Sequence, residues 1–304
     1  GHGRMISLWP VRTGVLVDGG VVYFGAGIFP AERVFLYALD AKDGSLLWKN
    51  DTLDDRNAGQ GSFTPQGYLL ASKTRLYAPT GRTMPASFDR ATGNFVAQRN
   101  ISKATAMVGG TYALLDGDNL YTGTEEITGV DDKGAGKFAW FRGKRLLFST
   151  TTSYLLSDLG IAALSRGKYP ELSTQRKGME IRRGVLADQA NREKDKAKAA
   201  ALKEQLAPLD QELATLNGDI DAAGSWKLQH PGLESMIVAG DTLFAGGSNE
   251  VLAVEATTGE SLWTGSVAGV ARGLAVSDGR LLVSTDKGAV YCFAGSGESL
   301  GEVA

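Results

Sequence analysis

The stretch Leu36-Tyr37-Ala38-Leu39-Asp40, followed by Ala41-Lys42-Asp43-Gly44 and then Leu47-Trp48, decides the fold because it comes back. It returns as Leu252-Ala253-Val254-Glu255, Ala256-Thr257-Thr258-Gly259 and Leu262-Trp263. A weaker copy runs from Phe88-Asp89 through Thr92-Gly93 to Phe95. Each time an apolar run ends at an acid, a small-residue turn with glycine follows, and a second short run begins. Recurrence on this scale marks one supersecondary unit stacked many times.

Working outward, each unit reads as four short antiparallel strands. In the first, Arg12 to Val17 alternates toward the turn Asp18-Gly19-Gly20, Val21 to Gly25 follows, and Val34–Asp40 and Ser45–Trp48 complete it. In the last, Arg272 to Ser277 meets the turn Asp278-Gly279, followed by Leu281 to Thr285 and Ala289 to Ala294. Four- to seven-residue alternation bounded by Gly and Asp is the signature of such strands. Between them, units begin near Gln66, Gly110, Lys137 and Leu233. The fourth is expected to use Lys137 to Phe141 as its first strand. About six units of roughly 40–50 residues predict an all-β fold, a β-propeller of four-stranded antiparallel blades.

One segment departs from the pattern. Strand signals vanish over 169–223, where Leu202, Leu206, Leu209, Leu213, Leu216 and Ile220 form a helical apolar stripe. Pro208 inside it predicts a kink or a helix restart. Lys168 to Lys203 holds ten basic and five acidic residues, and Glu204 to Asp221 five acids and no base, so a folded-back helical hairpin would offset the two. Ile161 to Leu164 reads as a third strand and Ser225 to Leu228 as a fourth. The hairpin therefore replaces one c–d turn, on the face opposite the b–c turns.

Composition narrows the function classes. The 304 residues carry 32 basic and 34 acidic side chains, which argues against a nucleic-acid surface built on bulk positive charge. Forty glycines suit many tight turns. The single cysteine, Cys292, permits no internal disulfide and reads as a buried small hydrophobe. No apolar run reaches the roughly 18–20 residues of a membrane-spanning helix. Gly1 to Ile6 does not read as a signal peptide, and an opening on what looks like mid-domain sequence is expected of a fragment.

The repeat resembles the pyrroloquinoline-quinone-type (PQQ-like) β-propeller repeat, with Leu36 to Asp40, Gly44 and Trp48, and Val251 to Glu255, Thr258, Gly259 and Trp263, matching its pattern. The stretches Ile6 to Gly14 and Ala139-Trp140-Phe141 are similar to uncharacterised bacterial members of this family, and the chain as a whole resembles its BamB-like members. The resemblance covers nearly the whole chain, 1–304, outside the 169–223 insertion. It implies further blades and a seven- or eight-bladed ring. It also implies an extracytoplasmic location, periplasmic or in the cell envelope. Trp48, Trp226 and Trp263 are expected to pack between blades.

Quinoprotein dehydrogenases of this repeat family are implied to need calcium held by Glu, Asn and Asp, a catalytic carboxylate, and commonly adjacent cysteines beneath the quinone. This chain has no Cys-Cys, and Glu125-Glu126 and Asn249-Glu250 are explained as turn residues. His2 and His230 are too few for most zinc sites. No cofactor and no catalytic residue are expected, with PQQ and Ca²⁺ as the alternative.

Counting six residues back from the Asp18 and Asp278 sites places Arg12, Gln66, Gly110, Lys137, Leu233 and Arg272 at one repeat position, the start of the innermost strand near a channel mouth. Arg82, in the turn Gly81 to Ser87, would share that face. Arg12, Gln66, Arg82, Lys137 and Arg272 are thus the candidate ligand site, for an anionic or carbonyl-rich group. Solvated side chains paired to acids such as Glu125 are the alternative. The reading is a non-catalytic scaffold binding a protein or ligand through a propeller face or the hairpin. The alternatives are a PQQ-dependent dehydrogenase-like oxidoreductase and an accessory or sensor module of a larger protein.

Overall fold

Short alternating runs separated by tight turns give antiparallel meanders throughout the chain. The computed structural model describes residues 5, 7–28, 32–53, 63–80, 84–98, 112–117, 119–130, 137–295 and 299–303. The chain divides into two compact units, 1–136 and 137–304.

In the first unit, β1 (Leu16–Asp18), β2 (Val21–Ala26), β3 (Phe35–Asp40) and β4 (Leu46–Asn50) form one sheet in sequence order. β5 (Leu70–Ala71), β6 (Arg75–Ala78), β7 (Ala86–Asp89) and β8 (Phe95–Gln98) form the next. β9 (Ala113–Asp116), β10 (Asn119–Thr124) and β11 (Glu126–Val130) continue the pattern. Inward residues of the first two sheets, among them Leu36, Ala38, Leu76, Ala78 and Phe88, are fully buried in one shared core. The strands' period of two separates that face from the outer one.

In the second unit, β12 (Lys137–Arg142) precedes a sheet of β13 (Arg145–Phe148), β14 (Thr152–Ser157), β15 (Gly160–Ser165) and β16 (Gly224–Gln229). The fourth blade's first strand is therefore β13. The Lys137 to Phe141 run, expected there, lies outside this sheet because the turn at Gly143-Lys144 separates the two runs. β17 (Ser235–Ala239), β18 (Thr242–Glu255), β19 (Ser261–Ser277), β20 (Arg280–Thr285), β21 (Val290–Ala294) and β22 (Ser299–Val303) form a continuous sheet holding two blades. β18 is itself a folded hairpin. Its chain reverses at Asn249 (φ 64°), and its ends meet where the Ala256 N–H donates to the Asp241 carbonyl at 2.8 Å. Cys292, expected to be buried, is half-buried in β21.

Helices α1 (Tyr169–Arg192), α2 (Lys196–Glu204) and α3 (Leu206–Ala222) lie between β15 and β16. The ends of this excursion adjoin, with Ser165 N donating to Ala223 O at 2.9 Å, so it stands where a tight turn would otherwise be. The helix restarts at Leu206, which puts Pro208 in the first turn, where a missing N–H costs nothing. Leu209, Leu216 and Ile220 of the stripe are buried.

Three c–d turns repeat bond for bond. Asp40, Asp89 and Glu255 each end a third strand, and each carboxylate accepts a backbone N–H of its own turn, with a threonine hydroxyl added at Asp89 and Glu255. The Asp89 carboxyl is held below its usual range by the hydrogen bonds from Thr92. Four residues on, Gly44, Gly93 and Gly259 sit at φ near 75° and donate back to the acid's carbonyl. The preceding blade's tryptophan lies on the glycine. Trp48 covers Gly93 and its Nε1 donates to Arg90 O at 3.1 Å, and Trp226 covers Gly259 and donates to Ala256 O at 3.0 Å. A tyrosine seconds each contact. Tyr154 Oη donates to the same Ala256 O at 3.1 Å, while Tyr23 Oη accepts from Arg90 Nε at 3.0 Å.

A methyl group at Gly259 would lie 2.6 Å from the Trp226 ring, and φ is left-handed there. At Gly44 the same φ meets nothing within 4 Å. Gly44→Ala is therefore expected to cost about 1 kcal/mol and Gly259→Ala about 3 kcal/mol in urea unfolding. Equal costs would contradict the Trp226 contact.

Candidate functional site

The residues singled out by repeat position fall into two groups. In the first unit Arg12 and Gln66 come together, with Arg12 Nη2 donating to Gln66 Oε1 at 3.0 Å and Gln66 Nε2 to Thr80 O at 3.0 Å. Their backbones are held alike, Arg12 N by Gly25 O at 3.2 Å and Gln66 N by Pro79 O at 2.9 Å. Arg82 and Gly110 lie outside the described residues.

In the second unit that backbone bond identifies different residues from those expected. Lys144 N donates to Leu156 O at 2.7 Å and Glu234 N to Gly246 O at 2.8 Å. Counting back from the turn had selected Leu233, which is fully buried. The count from the turn lands one residue short of the one whose N–H makes this bond. Lys137 does not occupy the repeat position, since its strand precedes the fourth blade's sheet; Lys144 does. Arg272 is the bulged residue of the last blade.

These three side chains join. Glu234 Oε1 accepts from Lys144 Nζ at 3.1 Å and Glu234 Oε2 from Arg272 Nη1 at 3.3 Å, so one carboxylate bridges successive blades. Lys144 also pairs with Asp158 at 2.8 Å. Its ammonium is held above the usual lysine range by the hydrogen bond to Asp158, and then by that to Glu234. Glu234 thus offsets two cations at a position where sequence counting saw only positive charge. Arg272 keeps donors in water, its side chain being 58% exposed.

The helices present a second surface. Tyr169, Ser173, Lys177 and Glu180 follow helical spacing down one side of α1 and all meet β12. Tyr169 stacks on Phe141, Ser173 Oγ accepts from Trp140 N at 3.3 Å, Lys177 lies 4.3 Å above the Trp140 ring, and Glu180 takes Arg142 at 3.0 Å. Burial raises the Tyr169 hydroxyl above its usual range. Arg183 pairs with Asp210, joining α1 to α3. Beyond this base Ile181 and Val185 are about half exposed. A groove of about 420 Å³ between the helices is lined by Val185, Leu186, Pro208 and Leu209, with Arg182 and Glu212 among its polar lining residues.

Glu125-Glu126 and Asn249-Glu250 lie at hairpin turns. Glu125 and Asn249 are the left-handed residues of their hairpins. Asn249 Oδ1 accepts from Gly269 N at 2.9 Å, and Glu250 Oε1 lies 2.7 Å from His230 Nε2. Among the described residues no three His, Cys, Asp or Glu side chains gather around one point.

With the geometry in hand, a model of the family described as outer membrane protein assembly factor BamB matches residues 8–113 and 199–300, more than half of the chain. The chain belongs to this family. The crystal structure of BamB from Moraxella catarrhalis is similar with a TM-score of 0.54 at 15% identity, over 96% of this chain and 74% of that one. The crystal structure of the computationally designed Ika8 protein is similar with a TM-score of 0.57 at 10% identity, over 93% and 70%. Both likenesses show the β-propeller fold. No curated protein matches the chain. α1 falls in the gap between the two matched regions, whereas α3 lies within the second of them.

The Lys144 network has a pH signature. A raised ammonium pKa contributes stability that is complete below the unfolded lysine value, about 10.4, and is lost as pH climbs through the higher folded value. Lys144→Met is expected to lower stability by about 1 kcal/mol at pH 7–9, the difference from wild type shrinking above about pH 10.5. Thermal unfolding against pH checks this, and a pH-independent difference would contradict it.

Proposed function

We propose that this chain is a non-catalytic β-propeller scaffold that binds protein outside the cytoplasm and serves outer-membrane protein assembly, with the helical arm carrying the partner contact. The observation behind this reading is the arm's construction. One face of α1 is bound to β12 by ring stacking, hydrogen bonding and an ion pair, whereas Ile181 and Val185 further along are left to solvent beside an apolar groove. A firmly seated base with an apolar, charge-flanked side is what a protein-recognition element needs, because little ordering is left to do on binding. The BamB family membership supports the outer-membrane setting. The network of Arg12 and Gln66 and that of Lys144, Glu234 and Arg272 serve in this reading to join blades, with Arg272 available to an anionic group.

A photo-reactive amino acid at Val185, introduced into the protein in its native host, is expected to crosslink to an outer-membrane assembly component, and Val185→Glu to abolish the same band from a crosslinker at Ile181. Crosslinking only to cytoplasmic proteins would contradict the proposal. Addition of pyrroloquinoline quinone with calcium is expected to leave dye reduction at background for any alcohol or sugar. Quinone-dependent turnover would overturn the non-catalytic reading.

A further inference from the structure

Folding back lays the basic leg of the arm beside the acidic one, yet their charges are not used up on each other. Among the described residues, which include the whole arm, one ion pair, Arg183 with Asp210, joins α1 to α3. Arg182 and Arg192 on α1, and Glu212 and Asp219 on α3, are exposed and make no ion pair among the described residues. Helical spacing puts Arg182 and Arg192 on the same side of α1 as the exposed Val185, and Glu212 and Asp219 on the same side of α3 as Pro208. The groove of about 420 Å³ runs between these two sides, with Arg182 on one rim and Glu212 on the other. On α1 it opens away from β12, the strand that Tyr169, Ser173 and Glu180 face. The arm thus presents an apolar channel with one cationic and one acidic edge.

We infer that this groove takes a single amphipathic α-helix of the partner, with a carboxylate on the flank over α1 and a lysine or arginine on the flank over α3. The inference rests on the reading that the arm carries the partner contact. The occupant is helical because α1 and α3 satisfy their backbone groups internally and offer no edge for an extended segment to pair with. On α1 the lining runs from Arg182 to Gln189, two turns or about 10 Å, which suits apolar side chains at i and i+4 of the incoming helix. Those side chains seat against Val185, Leu186, Pro208 and Leu209, and packing of a ridge into the groove brings the flanks over the rims. A methyl group at Gly178 would meet nothing within 4 Å, so α1 stays open on this side two turns nearer its base.

Charge selects among helices. Arg182 presents a planar donor fork suited to a carboxylate, and Glu212 accepts from an ammonium or guanidinium group. Both face solvent, so the pairs add selectivity more than affinity, and the apolar side chains hold the helix. A second copy of this chain would bring a groove against a groove and leave both unfilled, whereas the ridge of one helix fills the notch. An anionic lipid surface would attract the cations of α1 but repel Glu212 and Asp219.

The test uses the ¹⁵N-labelled full chain and synthetic peptides, acetylated and amidated, of about 18 residues, long enough to form a helix. All share one leucine stripe. The first carries Glu along one flank and Lys along the other, the second Gln on both flanks, and the third Lys on both. The Glu/Lys peptide is expected to shift the amides of 181–189 and 205–212, with a dissociation constant on the order of 0.1 mM. The Gln peptide should bind about fivefold more weakly. Arg182→Glu, at an exposed position, is expected to unfold at the wild-type temperature, to weaken the Glu/Lys peptide about fivefold and to tighten the Lys peptide. Glu212→Lys should weaken the Glu/Lys peptide likewise. No shift of these amides, a Gln peptide that binds as tightly, or binding indifferent to both charge reversals would each overturn the assignment. So would the same amides shifting as the chain self-associates, or with phosphatidylglycerol vesicles where the peptide has no effect. A Val185 crosslink in the host without peptide binding would overturn the helix and leave the scaffold reading standing. Peptide binding without that crosslink would do the reverse.

Discussion

Blade-to-blade adhesion in this chain depends on a clamp of tyrosine and tryptophan on a backbone turn. The acid at the end of a third strand gathers its own turn, and glycine four residues later takes a left-handed φ that no β-branched residue would tolerate. The flat surface so made receives the preceding blade's indole, and the turn's carbonyl receives the indole proton. Neither half works alone. An indole laid on a disordered turn would leave a polar N–H against apolar groups, and a turn without its tryptophan would expose apolar strand faces.

What distinguishes this protein from a plain repeat follows from where that clamp is altered. The fourth blade's own c–d turn is replaced by three helices, yet its tryptophan still reaches the next blade, so the insertion leaves adhesion intact. At Trp263 two parts of the clamp change, Phe244 standing where the second strands beside Trp48 and Trp226 carry Tyr, and Ala294 where the third strands that those tryptophans meet end in an acid. Nearer the first strands, a carboxylate at Glu234 takes over part of the joining by bridging Lys144 and Arg272. Packing, hydrogen bonding and charge thus divide the work of holding successive sheets, each at its own depth along the blade.

Much of this was legible in the residues themselves. The recurring phrase revealed the strands, the turns and the packing role of the tryptophans, and the leucine stripe with Pro208 located a helix restart that the structure shows at Leu206. Register was harder. A turn fixes the strand after it to within about a residue only, so counting from a turn chose Leu233 where the backbone bond chooses Glu234. The aromatic run at Trp140 has strand character of its own and passed for an inner strand, which hid Lys144 behind Lys137. The clamp's exceptions, Phe244 and Ala294, could have been found by aligning second strands and strand ends separately. They stayed hidden because a Phe for Tyr and an Ala for Asp look conservative until each side chain's partner is known.

A double-mutant cycle on the clamp measures its central claim most directly. Trp226→Phe removes the indole donor while keeping most of the apolar contact, and Glu255→Ala removes the carboxylate that holds the turn beneath it. If the indole docks on a turn that the acid organises, urea unfolding of the two single variants and the double variant gives a coupling of about 1 kcal/mol or more, each substitution costing less once the other is made. Additivity to within about 0.5 kcal/mol would show that ring and turn act independently, and the clamp would not be what joins the blades.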